Sequence, residues 1–148
     1  MLNIPQCARS IHGIQFDAIA DPAAGDELWY PPVGGMRITI TALSFDLTTA
    51  NVGIPRLVRI LCYHPTADHS CASAKYLQPA NTTFHYHFSL GISAPDFSVL
   101  AAVVFSRLPK DMHSDVWHPF FTETANINAA DQFANGVIGF NSYAELNM

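Results

Sequence analysis

RITITALSFDLTT, residues 37–49, alternates apolar and polar side chains with a period of two, which is a strand signal. Ile38 and Ile40 alternate with Thr39 and Thr41, and Leu43, Phe45 and Leu47 alternate with Ser44 and Asp46. The phase slips by one residue near Ala42. A β-bulge at that point returns both apolar sets to the same face. One long bent strand with a single core face is therefore expected.

The same period recurs on either side. IPRLVRILCY (54–63) sets Val58, Ile60 and Cys62 on one face and Leu57, Arg59, Leu61 and Tyr63 on the other. TTFHYHFSLGI (82–92) alternates most cleanly: Phe84, Tyr86, Phe88 and Leu90 face one way, Thr83, His85, His87 and Ser89 the other. FSVLAAVVFSRLP (97–109) is almost continuously apolar, as a strand covered on both faces would be. FFTETANIN and GVIGFNSYAEL supply the closing strands, with AADQFAN between them read as one helical turn. No stretch longer than twelve residues carries a helical apolar stripe, and no repeat is visible. Many short strands separated by Pro, Gly and Asn point to an all-β chain, an antiparallel β-sandwich of jelly-roll type. Its expected core is Ile38, Ile40, Phe45, Val58, Ile60, Phe84, Tyr86, Phe88, Val103 and Phe105.

Residues 1–35 differ in texture. QFDAIADPAAGDELWYPPVGG (15–35) mixes Pro, Gly and acidic residues without a sustained period. It reads as an extended N-terminal arm ending at a Gly34-Gly35 hinge, ahead of a sandwich domain at 36–148. Ile11, Ile14 and Phe16 would anchor one end of the arm on a partner, and Leu28, Trp29 and Tyr30 the other. An N-terminal edge strand followed by a loop is the alternative.

The 148 residues suit one domain. They are 49% hydrophobic and 13% charged, against roughly 25% charged in an ordinary soluble domain. A surface that neutral suggests cover by partners. Seven Lys and Arg against a net charge of −5 argue against direct nucleic-acid binding. No apolar run is long enough for a membrane helix, and MLNIPQCARSIHG lacks the pattern of a signal peptide, so neither membrane contact nor secretion is expected.

LCYHPTADHSC (61–71) raises the question of a metal or a disulfide, since it holds Cys62, His64, His69 and Cys71. A structural zinc site needs four converging ligands, and C-x-H…H-x-C is not a usual zinc spacing. Cys62 continues the apolar row of Val58 and Ile60, as a small buried hydrophobe does. A Cys62–Cys71 disulfide is also disfavoured, leaving two unlinked thiols at the base of a hairpin-like loop. His85 and His87 could hold a metal but lack a third ligand. A subunit contact sensitive to mild acid is the favoured reading. Asp115 and His118 flank Trp117, but three loop residues specify no acid–base geometry. No catalytic or phosphate-binding motif is present, and neither an enzyme nor a cofactor is expected. Asn81 heads a glycosylation sequon by pattern alone. Trp29, Tyr30 and Trp117 would be the platform of a carbohydrate-binding module.

Taken in order, MRITITALSFDLTTANVGIPRLVRI, TTFHYHFSLG, FSRLP and FFTETANINAADQFANGVIGF resemble the small β-sandwich virion proteins of tailed phages. The carrying features are the Thr48-Thr49 tip, the strand bearing Arg56 and Arg59, the Leu108-Pro109 corner and the Asp131-Gln132 turn. The Cys- and His-rich loop and the Pro-bearing arm depart from that pattern. The resemblance implies a capsid decoration, or cement, protein: non-enzymatic, trimeric, on the capsid surface of particles assembled in the host cytoplasm, and bound to the major capsid protein or another virion protein. Its contacts would come from Ile11, Phe16, Leu28, Trp29, Tyr30, His85 and His87. A tail, neck or fibre module is the nearest alternative.

Overall fold

The computed structural model describes residues 10–31, 36–64, 67–90, 97–109, 112–114 and 120–144. Among them every regular element is a strand: β1 (Ser10–Ile19), β2 (Trp29–Tyr30), β3 (Met36–Thr48), β4 (Arg56–His64), β5 (Ala67–Gln78), β6 (Thr83–Ser89), β7 (Phe97–Leu100), β8 (Val103–Arg107), β9 (His113–Ser114), β10 (Phe120–Ala125) and β11 (Gln132–Ala144). They form two packed sheets. The larger runs β1-β11-β3-β6-β8-β7, with β9 against β3, and the smaller runs β2-β10-β4-β5.

The expected bulge is present. Gly139 pairs with Ala42 and Phe140 with Ile40, so Thr41 is the extra residue. Ile38, Ile40, Leu43, Phe45 and Leu47 all end up buried on one face of β3. They meet Val58 and Ile60 of β4 in one core, with Phe45 stacked on Tyr86 at 5.2 Å and edge-on to Phe133 at 5.3 Å. A second bulge sits where Asn135 and Gly136 oppose Phe45 alone, and Asn135 takes the left-handed conformation (φ 55°).

Four expectations are corrected. The apolar run 97–109 is a hairpin, β7 and β8, turned by Ala101 and Ala102, both at positive φ. β8 then pairs parallel to β6, with Val103 beside His85 and Phe105 beside His87. That register puts Val103 and Phe105 on the outer face, half-buried, and turns Val104 and Ser106 inward. Phe84 is partly buried against the core rather than within it. AADQFAN is not helical: a turn precedes Asp131, and β11 begins at Gln132.

The N-terminal segment is the largest difference. β1 pairs with β11 and β2 with β10, so residues 10–30 join both sheets, as in the edge-strand alternative. Leu28 and Tyr30 are buried in the chain's own core, which removes them as partner contacts. β2 is short, and the Glu27 carboxylate extends its edge by accepting from the Thr124 amide at 2.6 Å and from the Thr122 and Thr124 hydroxyls. Burial, opposed by these bonds, leaves the Glu27 carboxyl above its ordinary pKa. The Gly34-Gly35 hinge lies outside the described residues.

One end of the sandwich is closed by a buried ion pair. The side chains of Arg56 and Asp131 are 1% and 0% exposed. Arg56 donates Nε to Asp131 Oδ2 at 2.9 Å and Nη2 to Oδ1 at 3.0 Å. Its Nη1 donates to the carbonyls of Val52 and Ile54. Asp131 also accepts from the amides of Ala50 (2.7 Å) and Asn128 (2.8 Å). The pair thus joins the β3–β4 connection, the start of β4 and the β10–β11 turn. Burial would raise the Asp131 pKa, but the bonds from Arg56, Ala50 and Asn128 and the Arg56 charge hold it below its ordinary value.

Three outcomes follow. Phe88→Ala, at a fully buried position, should cost about 3–5 kcal/mol in denaturant unfolding, and Phe105→Ala distinctly less. Asp131→Asn should cost about 3–5 kcal/mol, because it leaves a buried guanidinium without its counter-charge, and adding Arg56→Met should recover part of that loss. Because the folded pKa of Asp131 lies below its ordinary value of 3.8, its contribution is complete above that pH. It drains away as pH falls through 3.8 toward the folded pKa. An acid titration of stability on wild type and Asp131→Asn checks the sign.

Candidate functional site

The register of the larger sheet builds a continuous outer face. One rung crosses Phe16, Gly139, Ala42, Ser89 and Arg107, and the next crosses Ala18, Val137, Ser44, His87 and Phe105. Arg107 is the only residue on these two rungs with a fixed charge. Phe16 is 69% exposed and Val137 38%. The Phe16 ring rests on Gly139: a Cβ there would come within 2.8 Å of the ring. The Phe16 side chain therefore lies across the sheet, over β11, while most of it stays in water.

β6 places both of its histidines on this face, as the alternation predicts. His85 Nδ1 lies 2.7 Å from Asp46 Oδ1, and Asn135 Nδ2 donates to Asp46 Oδ2 at 2.8 Å. Burial would raise the Asp46 pKa, but the bonds from Asn135 and His85, with the His85 charge, lower it. His87 packs edge-on against Phe105 at 6.0 Å. Burial, then the nearby His85, lowers the His87 pKa below its ordinary 6.5. The face is thus apolar and imidazole-rich, with an anchored acid–histidine pair at one margin.

Other candidates separate. Trp29 is 52% exposed while Tyr30 is buried, its hydroxyl donating to Asp17 Oδ2 at 2.9 Å. Consecutive strand residues point to opposite faces, so the two rings form no common platform. In the β4–β5 hairpin Cys62 pairs with His69 and His64 with Ala67, and Cys71 falls at a register shift between Ser70 and Ala72. The side chains of Cys62, His64, His69 and Cys71 lie outside the described residues, as do Ile11's side chain and the whole of Asp115, Trp117 and His118. Asn81 sits exposed in the β5–β6 turn at φ 57°. Among the described residues no group of three or more His, Cys, Asp or Glu is placed to hold a metal ion.

The residues that sequence reading missed are the exposed aliphatics Val52, Ile54, Leu77 and Val137. A lone aliphatic in a loop carries no signal of its own. Val137 could have been found by asking which face of GVIGF opposes the core row Ile138 and Phe140. No helix of the described residues is long and apolar enough to cross a membrane. No family model, no curated protein and no solved structure matches the chain.

The lowered His87 pKa has a testable sign. The unfolded chain takes up this proton at a higher pH than the fold does, so stability should fall as pH drops from 6.5 toward the folded pKa. The His87 ring should titrate below 6.5 by NMR, and His87→Phe should flatten the dependence of Tm on pH across that window.

Proposed function

We propose that this chain is a non-enzymatic virion structural protein, a capsid decoration protein that stabilises the shell by bridging its subunits as a homo-oligomer. The observation that carries this reading is the outer face of the larger sheet. Its two central rungs span five strands with one fixed charge among ten positions, Asp46 lies at the margin, and Phe16 and Val137 are left exposed. An exposed apolar patch of this kind marks a contact surface. The interior supports it: the Arg56–Asp131 pair and the Glu27 carboxylate bind the chain's own loops and strand edges, as a rigid spacer needs.

We further assign the sandwich to the jelly-roll type. What supports it is the strand order. Omitting β7, β8 and β9, the sheets read β1-β11-β3-β6 and β2-β10-β4-β5, so that every step except the β4–β5 hairpin crosses between sheets, in the way two nested Greek keys require. The bridging role given to an arm at 1–35 narrows to the exposed side chains of its strands, Phe16 and Trp29, because β1 and β2 belong to the sandwich. Many copies on a symmetric shell would multiply a modest single contact through avidity.

The test is reconstitution. Purified chain should co-sediment in a fixed ratio with empty shells built from the major capsid protein of the same source, and should raise their melting temperature. Val137→Lys should abolish binding while leaving the far-UV and near-UV circular dichroism unchanged. A wild-type chain that stays in the supernatant over intact shells would overturn the proposal.

A further inference from the structure

Strand edges that stay open invite another chain, and folds guard them with bulges, charges or brevity. Three of the four sheet edges here are guarded. β2 is two residues long and β7 four. β5 has two register shifts along its pairing with β4, and carries Lys75 at φ 53°. β1 is different. It spans 10 residues, and from Ile14 to Ile19 it keeps unbroken register with β11. That segment has no Pro, no Lys and no bulge, and among the described residues no strand pairs with its other side. Ile14 and Phe16 are 61% and 69% exposed beside it.

We propose that β1 is where a second copy of this chain adds, its own β1 running antiparallel across a two-fold axis at Phe16, so that the two larger sheets continue into one. The side chains select this register. Centred on Phe16, the pairing sets Phe16 against itself and Ile14 against Ala18 of the other copy, all on the apolar outer face. On the opposite face it sets Asp17, the one charge in the segment, against Gln15, whose amide can donate to the carboxylate. Moving the axis one residue, to Asp17, would bring two carboxylates face to face, which a strand pair resists. The segment IQFDAI is thus complementary to itself in the register centred on Phe16, and an isologous contact needs that property. The contact goes beyond the capsid reading and is tested on the isolated chain, so either can fail alone.

Sedimentation equilibrium of the full chain across the micromolar range should show a monomer–dimer equilibrium. Hydrogen exchange should show amides of Ile14–Ile19 gaining protection as concentration rises. Phe16→Lys and Ile14→Lys should each weaken the dimer by about tenfold or more, with circular dichroism confirming the fold. Ile54→Lys, equally exposed but in the β3–β4 connection, should leave it unchanged. A chain that stays monomeric would overturn the proposal, including the case where β1 accepts a strand from a different protein. So would a trimer, or a dimer untouched by either β1 variant.

Discussion

The Arg56–Asp131 pair is the constraint on which the two-sheet arrangement turns. A sandwich must carry its chain from one sheet to the other, and each crossing leaves backbone groups that neither sheet can satisfy. Here one guanidinium and one carboxylate take up several of them together: the carbonyls of Val52 and Ile54, and the amides of Ala50 and Asn128. Desolvating two ions is costly, and a pair of this kind is a poor source of net stability. Its value lies in geometry. The two groups satisfy each other only when the β3–β4 connection and the β10–β11 turn hold their native positions.

A polar core layer continues this logic across the same end. Tyr86 donates its hydroxyl to Gln78 Oε1, and Gln78 Nε2 donates to the Leu47 carbonyl, while Thr49 bonds the Pro79 carbonyl. Both Gln78 and Tyr86 are fully buried.

What could be read in the sequence was whatever depended on period two. The long β3, its bulge at Thr41, the inward row of Tyr86 and Phe88, and the outward setting of His85 and His87 all follow from alternation. Failures came where pairing, rather than local pattern, sets the phase. Val103 and Phe105 face outward because β8 pairs parallel to β6, and a uniformly apolar run cannot announce its own phase. Its division into β7 and β8 was hidden because Ala101 and Ala102 turn at positive φ without the Gly or Asn that usually marks such a turn. β1 and β2 were hidden because their partners lie ninety or more residues away in β11 and β10. The outer face was legible strand by strand, through His85 and His87. Its continuity onto Phe16 and Val137 needed the β1–β11 register.

The place of β11 bears on how the protein comes to be folded at all. It lies between β1 and β3 in the larger sheet, yet a ribosome makes it after every other described strand. Until it emerges, β1 has no neighbour in its sheet, one side of β3 lies open, and Arg56 waits for a carboxylate 75 residues downstream. The hairpin of β4 and β5 can form early, because its contacts are local. The larger sheet cannot close until β11 has been made. Non-local pairing of this kind slows folding and prolongs the exposure of unpaired edges. The nascent chain must therefore carry the apolar row of β3 uncovered on one flank until β11 is made, and β11 is the strand that closes the sheet.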